Sequence, residues 1–269
     1  MQKLGKFQEF FGYKKVIIGM VHLLPLPGSP HFAYNLSEIY ERALKDLKNL
    51  EKGGANGAII ENFGDIPYMI NNPIETYISM AHIVTLLKQE TKIPLGVNIQ
   101  FNCGKEEMAV AHLCGGDFVR IEAFTENRIG THGVAYAQAP EVMRYKSKLK
   151  SKVLVFSDIN VKHTYSLGIE DFFLNLDEAI LAGADAIIVT GTTTGKEPEI
   201  KDVKEVKDAI GEFPLLIGSG VSADNIEKFL KIVDGVIVGT AIKEDSKTTN
   251  PISLEKVRML AEIRDKCNS

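Results

Sequence analysis

Acidic, basic and amide side chains recur in this sequence at one kind of place, immediately after short apolar runs. Asp158, Asn160 and Lys162 follow one run at alternate positions, and Glu61, Asn62 and Asp65 follow another. His22, the pair Asn98 and Gln100, and the pair Arg120 and Glu122 follow three more. Side chains alternate along a strand, so Asp158, Asn160 and Lys162 share a face if their strand continues that far. Carboxylates, an amine, a guanidinium and an imidazole gathered in one cleft shift each other's protonation, which is what proton transfer to a substrate requires. In this reading Asp158 and Glu61 are acid/base candidates, with Glu122 as a further carboxylate. Lys162 or Arg120 stabilises developing negative charge, and His22 or His163 shuttles protons. Lys162 as an imine-forming amine is a narrower version that needs a depressed pKa. Taken singly, each residue also has a plainer reading, because polar groups at strand ends satisfy loop backbone. That reading is weaker for the whole set.

Glycine makes a second signal. Gly218-Ser219-Gly220-Val221 runs into Ala223-Asp224-Asn225, and Gly239-Thr240 follows the last apolar run. Backbone N–H groups exposed at such turns suit a phosphate or a similar anion. Either motif alone is explained by the tight turns glycine permits. Thr190-Gly191 with Thr194-Gly195 offers hydroxyls to a ligand or forms ST-turns. A divalent cation held by Glu61, Asp65 or Asp158 fits oxygen-ligand chemistry, but no spacing demands it.

The elements that must position these residues are repeated βα units. Eight apolar runs, Val16–Met20, Ala58–Ile60, Leu95–Ile99, Phe118–Ile121, Val153–Phe156, Ala186–Val189, Leu215–Ile217 and Val236–Val238, alternate with segments carrying helix-period apolar stripes. The stripes cover 36–52, 74–90, 105–113, 137–150, 172–181, 200–210, 223–232 and 254–267. Several end at glycine before the next strand, as in Gly53-Gly54, Gly115-Gly116 and Gly183. The series predicts a single α/β domain over residues 1–269, a (β/α)8 TIM barrel with residues 1–15 as a capping segment; a doubly wound open sheet is the alternative. Pro25-Leu26-Pro27-Gly28-Ser29-Pro30 predicts a rigid loop at the edge of the site.

Composition narrows the class. The chain has 269 residues, 45% of them hydrophobic, and a formal net charge of -4, which announces no nucleic-acid partner. Three scattered cysteines fit free thiols in a reducing compartment, and no apolar stretch is long enough to span a membrane. A homo-oligomer is the base-rate expectation for a barrel of this kind.

Together, Gly19-Met20-Val21-His22-Leu23-Leu24-Pro25-Leu26-Pro27-Gly28-Ser29-Pro30, Glu61-Asn62-Phe63-Gly64-Asp65, Gly96-Val97-Asn98, Val161-Lys162-His163, Ile188-Val189-Thr190-Gly191 with Thr194-Gly195, Gly218-Ser219-Gly220-Val221 and Asp234-Gly235-Val236-Ile237-Val238-Gly239-Thr240 resemble the BtpA/SgcQ family from about Gly12 to Ile263. The resemblance implies a ribulose-phosphate-binding or aldolase type of barrel in a cytoplasmic protein, with peripheral membrane association and photosystem I biogenesis linked to cyanobacterial members. No single reaction follows from it. Family members often read Leu-Arg-Asn-Asp and Arg-Val-Asn where this chain has Gln100-Phe101-Asn102-Cys103 and Arg120-Ile121-Glu122, and an acidic-Gln-Gly run where it has Thr131-His132-Gly133.

Three functions compete. The first is an isomerase, lyase or hydrolase acting on a phosphorylated sugar or related phosphate ester. The second is a non-catalytic assembly factor. The third is nucleotide binding, with Phe63, Tyr68 or Phe101 stacking on a base. The concentration of polar groups at strand ends favours the enzyme.

Overall fold

The computed structural model describes residues 6–168, 171–191 and 197–268. In chain order its strands are β1 (Val16–His22), β2 (Gly57–Glu61), β3 (Leu95–Asn98), β4 (Phe118–Ile121), β5 (Arg128–Gly130), β6 (Gly133–Ala135), β7 (Leu154–Ile159), β8 (Tyr165–Ser166), β9 (Ala186–Val189), β10 (Leu215–Ile217) and β11 (Gly235–Val238). The helices are α1 (Lys6–Phe11), α2 (Leu36–Gly53), α3 (Ile74–Gln89), α4 (Gly104–Cys114), α5 (Ala139–Leu149), α6 (Phe172–Leu181), α7 (Ile200–Ile210), α8 (Ile226–Leu230) and α9 (Leu254–Asn268). Eight strands, β1, β2, β3, β4, β7, β9, β10 and β11, pair in parallel and close on themselves, β1 meeting β11 in the register Val16↔Gly235. That closure removes the open-sheet alternative. The remaining three, β6, β5 and β8, form a separate antiparallel sheet drawn from the loops after β4 and β7.

The expected runs become strands because both faces of each are covered, the outer by helices and the inner by the barrel's own interior. Glycine ends α2 and α4 in the left-handed region, at Gly54 (φ 89°) and Gly115 (φ 81°). Asn35 and Glu38 open α2 with a reciprocal capping box, both bonds at 3.0 Å. The largest shortfall against the expected stripes is in α8, a five-residue helix where the stripe covers 223–232. Asn225 explains this: its Oδ1 accepts from the Ser222 amide at 2.8 Å and its Nδ2 donates to the Gly220 carbonyl at 2.9 Å, holding 222–225 in a turn.

Inside the barrel the inward positions read apolar at the bottom and polar at the top. Val16, Ile18, Ile59, Phe118, Phe156, Ala186, Ile188, Leu216 and Ile237 form one buried cluster, closed from below by Phe7 and Phe11 of α1. Phe118 and Phe156 stack at 4.6 Å between centroids, and Phe11 approaches Phe118 at 6.1 Å. Gly96 makes this packing fit, since a Cβ there would meet the Phe118 ring at 2.3 Å. One alternation further up, the same faces carry Glu61, Asn98, Arg120, Asp158 and Gly218, and on β1 His22 follows Met20, which is still part of the apolar cluster.

The α1 plug is therefore part of the core. Phe11→Ala is expected to lower the free energy of unfolding by about 3 kcal/mol, read as a shift of the urea midpoint.

Candidate functional site

At the C-terminal ends of the barrel strands lies a cavity of about 1000 Å3. It is lined by His22, Glu61, Gln100, Arg120, Glu122, Lys162, His163, Gly218, Ser219, Gly220, Gly239 and Thr240, all singled out in the sequence, together with Phe63, Tyr68 and Phe101. Strand alternation explains how most of them arrive there, being inward positions just above the apolar layer.

Arg120 and Asp158 form the floor. The guanidinium donates from Nε to Oδ2 at 2.8 Å and from Nη2 to Oδ1 at 2.9 Å, a two-pronged pair with Asp158 fully buried beneath. Burial by itself would lower the Arg120 pKa, but Asp158, Glu61 and Glu122 outweigh it and hold the guanidinium charged. Gly218 gives this corner its room, as a Cβ at that position would meet Ile188 Cγ2 at 2.5 Å and Thr190 Cγ2 at 3.0 Å and would come within 3.2 Å of Arg120 Nη2.

Beside the floor, His22 Nε2 lies 3.3 Å from Glu61 Oε2, and His22 Nδ1 lies 3.4 Å from the Thr248 carbonyl. A carbonyl only accepts, so Nδ1 carries a hydrogen, and the Nε2 to Oε2 contact then holds one proton between the two residues. Burial lowers the His22 pKa, with Lys243, Lys162 and Arg120 adding to the effect, while burial raises that of Glu61. Gln100 fixes the other Glu61 oxygen, donating from Nε2 to Oε1 at 2.8 Å. The His22 ring stacks on Phe63 at 4.3 Å.

Glu122 is held by amides. Asn98 Nδ2 donates to its Oε1 at 2.7 Å, and the Asn102 N–H donates to its Oε2 at 3.1 Å. Burial pushes the Glu122 carboxyl up to about 7, with Asp158 adding to the rise. Behind it sits Glu107 of α4, fully buried, whose Oε1 accepts from the Ile99 N–H at 2.7 Å and faces Asn98 Nδ2 at 3.4 Å. Its Oε2 has no hydrogen-bond partner, and burial with the Glu122 charge raises its pKa well above the ordinary range. Glu107 looked like an ordinary first-turn helix residue in the sequence; only the approach of α4 to β3 reveals it.

Several expected contacts lie elsewhere. Asn98 stands behind Glu122. Asn62 and Asp65 build the loop after β2: Asn62 Oδ1 accepts from the Gln100 N–H at 2.7 Å, and Asp65 accepts from the Leu26 N–H at 2.7 Å and from Asn62 Nδ2 at 3.0 Å. The same bond anchors the proline-rich loop, which packs there and does not line the cavity. β7 stops at Ile159, and Asn160 turns into the left-handed region (φ 52°), so alternation ends there. Asn160 consequently faces a smaller cavity, with its N–H on Glu126 at 2.7 Å and its Oδ1 accepting from Arg128 at 2.6 Å. Thr190 accepts from the Lys162 N–H at 3.2 Å and Gly191 is buried; neither lines the main cavity. Thr194 and Gly195 lie outside the described residues. The carboxylates considered for a cation are engaged separately, Glu61 by Gln100 and His22, Asp65 by Leu26 and Asn62, and Asp158 by Arg120. Among the described residues no group of three His, Cys, Asp or Glu could hold a metal ion.

Two segments outside the eight strand ends complete the wall. Thr131 and His132 come from the side sheet, with His132 stacked on Phe101 at 3.8 Å. The segment from Lys243 to Ile252 brings Thr248, whose hydroxyl lies 2.9 Å from that of Thr240. Its ends are tied to the fully buried Asp46, Lys243 through its ammonium at 3.3 Å and Ile252 through its N–H at 2.7 Å.

The BtpA family model matches residues 13–266. The chain belongs to the BtpA family. It is 37% identical over 254 residues to the uncharacterized protein MJ1115 of Methanocaldococcus jannaschii, covering 94% of this chain and 96% of the relative. It is 33% identical over 258 residues to the photosystem I biogenesis protein BtpA of Synechocystis sp., covering 95% and 90%. Among solved structures, thiamine phosphate pyrophosphorylase from Pyrococcus furiosus matches with a TM-score of 0.59 over 95% of this chain and 98% of its own, at 13% identity, a likeness of fold. Family membership agrees with the resemblance carried by the strand-end motifs. No helix among the described residues is long and apolar enough to cross a membrane.

Two outcomes follow from the buried charges. Asp158→Ala strands the Arg120 guanidinium in the floor and is expected to cost about 3–5 kcal/mol by urea denaturation. Because the folded-state pKa of Glu122 is raised, its contribution to stability is full below the ordinary pKa of 4.5 and is lost as pH rises through about 7. Wild type should therefore lose stability relative to Glu122→Gln between pH 5 and pH 8, on the order of 3 kcal/mol, in paired denaturation curves.

Proposed function

We propose that this chain is an enzyme acting on a small phosphate ester, of the sugar-phosphate kind, through proton transfer. One observation carries the reading. The backbone N–H groups of Ser219, Gly220 and Val221, and those of Thr240 and Ala241, have no hydrogen-bond partner among the described residues, and all five residues line the cavity that also holds the His22–Glu61 pair and Glu122. They belong to the loops after the seventh and eighth barrel strands, where barrels of this architecture commonly bind phosphate. Gly220 in the left-handed region (φ 76°) gives the first loop its turn. The thiamine phosphate pyrophosphorylase that shares the fold bears a phosphate compound in its name.

With the phosphate on these amides, the rest of the ligand extends toward strands β1 to β4. There the His22–Glu61 pair holds a proton that it can give or take, Glu122 changes protonation near neutrality, and Arg120, locked by Asp158, supplies fixed positive charge for a developing oxyanion. Isomerisation, bond cleavage next to a carbonyl and hydrolysis all draw on this set. The name of the Synechocystis relative supports a second reading, a factor in the assembly of a membrane complex.

A thermal-shift panel separates the two. Sugar phosphates are expected to raise the melting temperature, by the equivalent of about 2.7 kcal/mol at a hundredfold excess over Kd, and their unphosphorylated parents are not. Thr240→Glu, which places a negative charge on the amides, should abolish the shift. Glu61→Gln should retain it while lowering turnover of the substrate so found by about 10²–10⁴-fold. Silence from inorganic phosphate, sugar phosphates and nucleotides alike would overturn the enzyme reading and leave the assembly factor.

A further inference from the structure

Lys162 differs from the other buried or partly buried lysines. Lys243 is fully buried and paired with Asp46 at 3.3 Å, Lys88 with Asp117 at 2.6 Å, and Lys207 with Asp234 at 2.7 Å. Lys162 lines the main cavity, yet among the described residues its ammonium makes no ion pair and no hydrogen bond. The nearby carboxylates are otherwise committed: Asp158 to Arg120, Glu61 to Gln100 and His22, and Glu122 to Asn98 and Asn102.

The backbone that delivers it is fixed. Asn160 and His163 both stand in the left-handed region, at φ 52° and 62°, so the chain turns sharply on either side of Lys162. Val161 between them is buried with Phe101, Ala123 and Ala135, and the Lys162 N–H is held by Thr190 Oγ1 at 3.2 Å. A flexible side chain on an anchored root, directed to a cavity without a dedicated counter-ion, suits a nucleophile better than a structural cation. Burial and the Arg120 charge lower its pKa, against the opposing pull of Glu61, Asp158 and Glu122, which increases the share of free amine.

We propose that the Lys162 amine forms an imine with the carbonyl carbon of a phosphorylated aldehyde or ketone whose phosphate rests on the Ser219–Val221 and Thr240–Ala241 amides. This deepens, and rests on, the phosphate-ester reading. The amine lone pair attacks the carbonyl carbon, a C–N bond forms, and the carbonyl oxygen takes the proton that nitrogen gives up. The carbinolamine then loses its hydroxyl as water, using a proton from the Glu122 or Glu61 carboxyl, and leaves an iminium. Nothing is oxidised or reduced. The iminium withdraws electrons from the adjacent carbon, so a C–H or C–C bond there can break while the His22–Glu61 pair moves the proton.

Borohydride tests this directly, because it delivers hydride to an iminium and makes the C–N bond permanent. Wild-type protein is incubated with dihydroxyacetone phosphate or ribose 5-phosphate, reduced, digested and mapped by mass spectrometry. The Lys162 peptide is expected to gain the mass of the probe less one oxygen atom, with at least about tenfold more labelling than the exposed cavity lysine Lys228, and glycerol 3-phosphate is expected to compete it away. Labelling of Lys162 no greater than that of Lys228 overturns the proposal. If glycerol 3-phosphate raises the melting temperature but no probe labels Lys162, the imine is wrong and the phosphate reading stands. If dihydroxyacetone labels Lys162 as well as its phosphate does, the imine stands and the phosphate reading falls.

Discussion

The site depends on the way a closed barrel forces every second residue of eight strands into one narrow interior. In this chain that interior changes character within one alternation, from the Phe118–Phe156 stack to the Arg120–Asp158 pair. A charged pair can occupy so dry a place because the fork of the guanidinium matches both carboxylate oxygens and because Gly218 leaves space for it. With that floor set, Glu61 and Glu122 both feel a fixed positive charge.

Amide side chains and backbone then decide what the carboxyls do. Gln100 takes one oxygen of Glu61, and Asn98 and Asn102 take both oxygens of Glu122, so each carboxyl has a defined direction into or beside the cavity. Burial favours their neutral forms, and the Asp158 charge presses in the same sense. The result is a group of acids that keep protons at pH values where exposed carboxylates have lost them. Low polarity, more than any one partner, tunes this part of the molecule.

Much of this was legible in the sequence. The eight apolar runs locate the barrel strands to within a few residues, because a strand covered on both faces has little choice but to be apolar. The residues at their ends locate most of the cavity, because alternation carries Glu61, Arg120, Glu122 and Gly218 inward. What escaped was whatever depends on the path of a loop. Asn160 was expected beside Asp158 and Lys162, but the chain leaves the strand before reaching it. Glu107 reaches the site from a helix, His132 from a side sheet and Thr248 from a segment pinned to α2, and no local periodicity records those approaches. The free amides after β10 were legible as glycines, whereas the turn that shortens α8 rests on a single asparagine, Asn225.

The side sheet has its own bearing on the cavity. Among the described residues its strands pair only with one another, and Glu126 and Arg128 fasten it to Asn160, Thr164 and Asn175 without entering the barrel's ladder of hydrogen bonds. Thr131 and His132, which border the ligand space, therefore stand on a framework separate from the closure that keeps the chain folded.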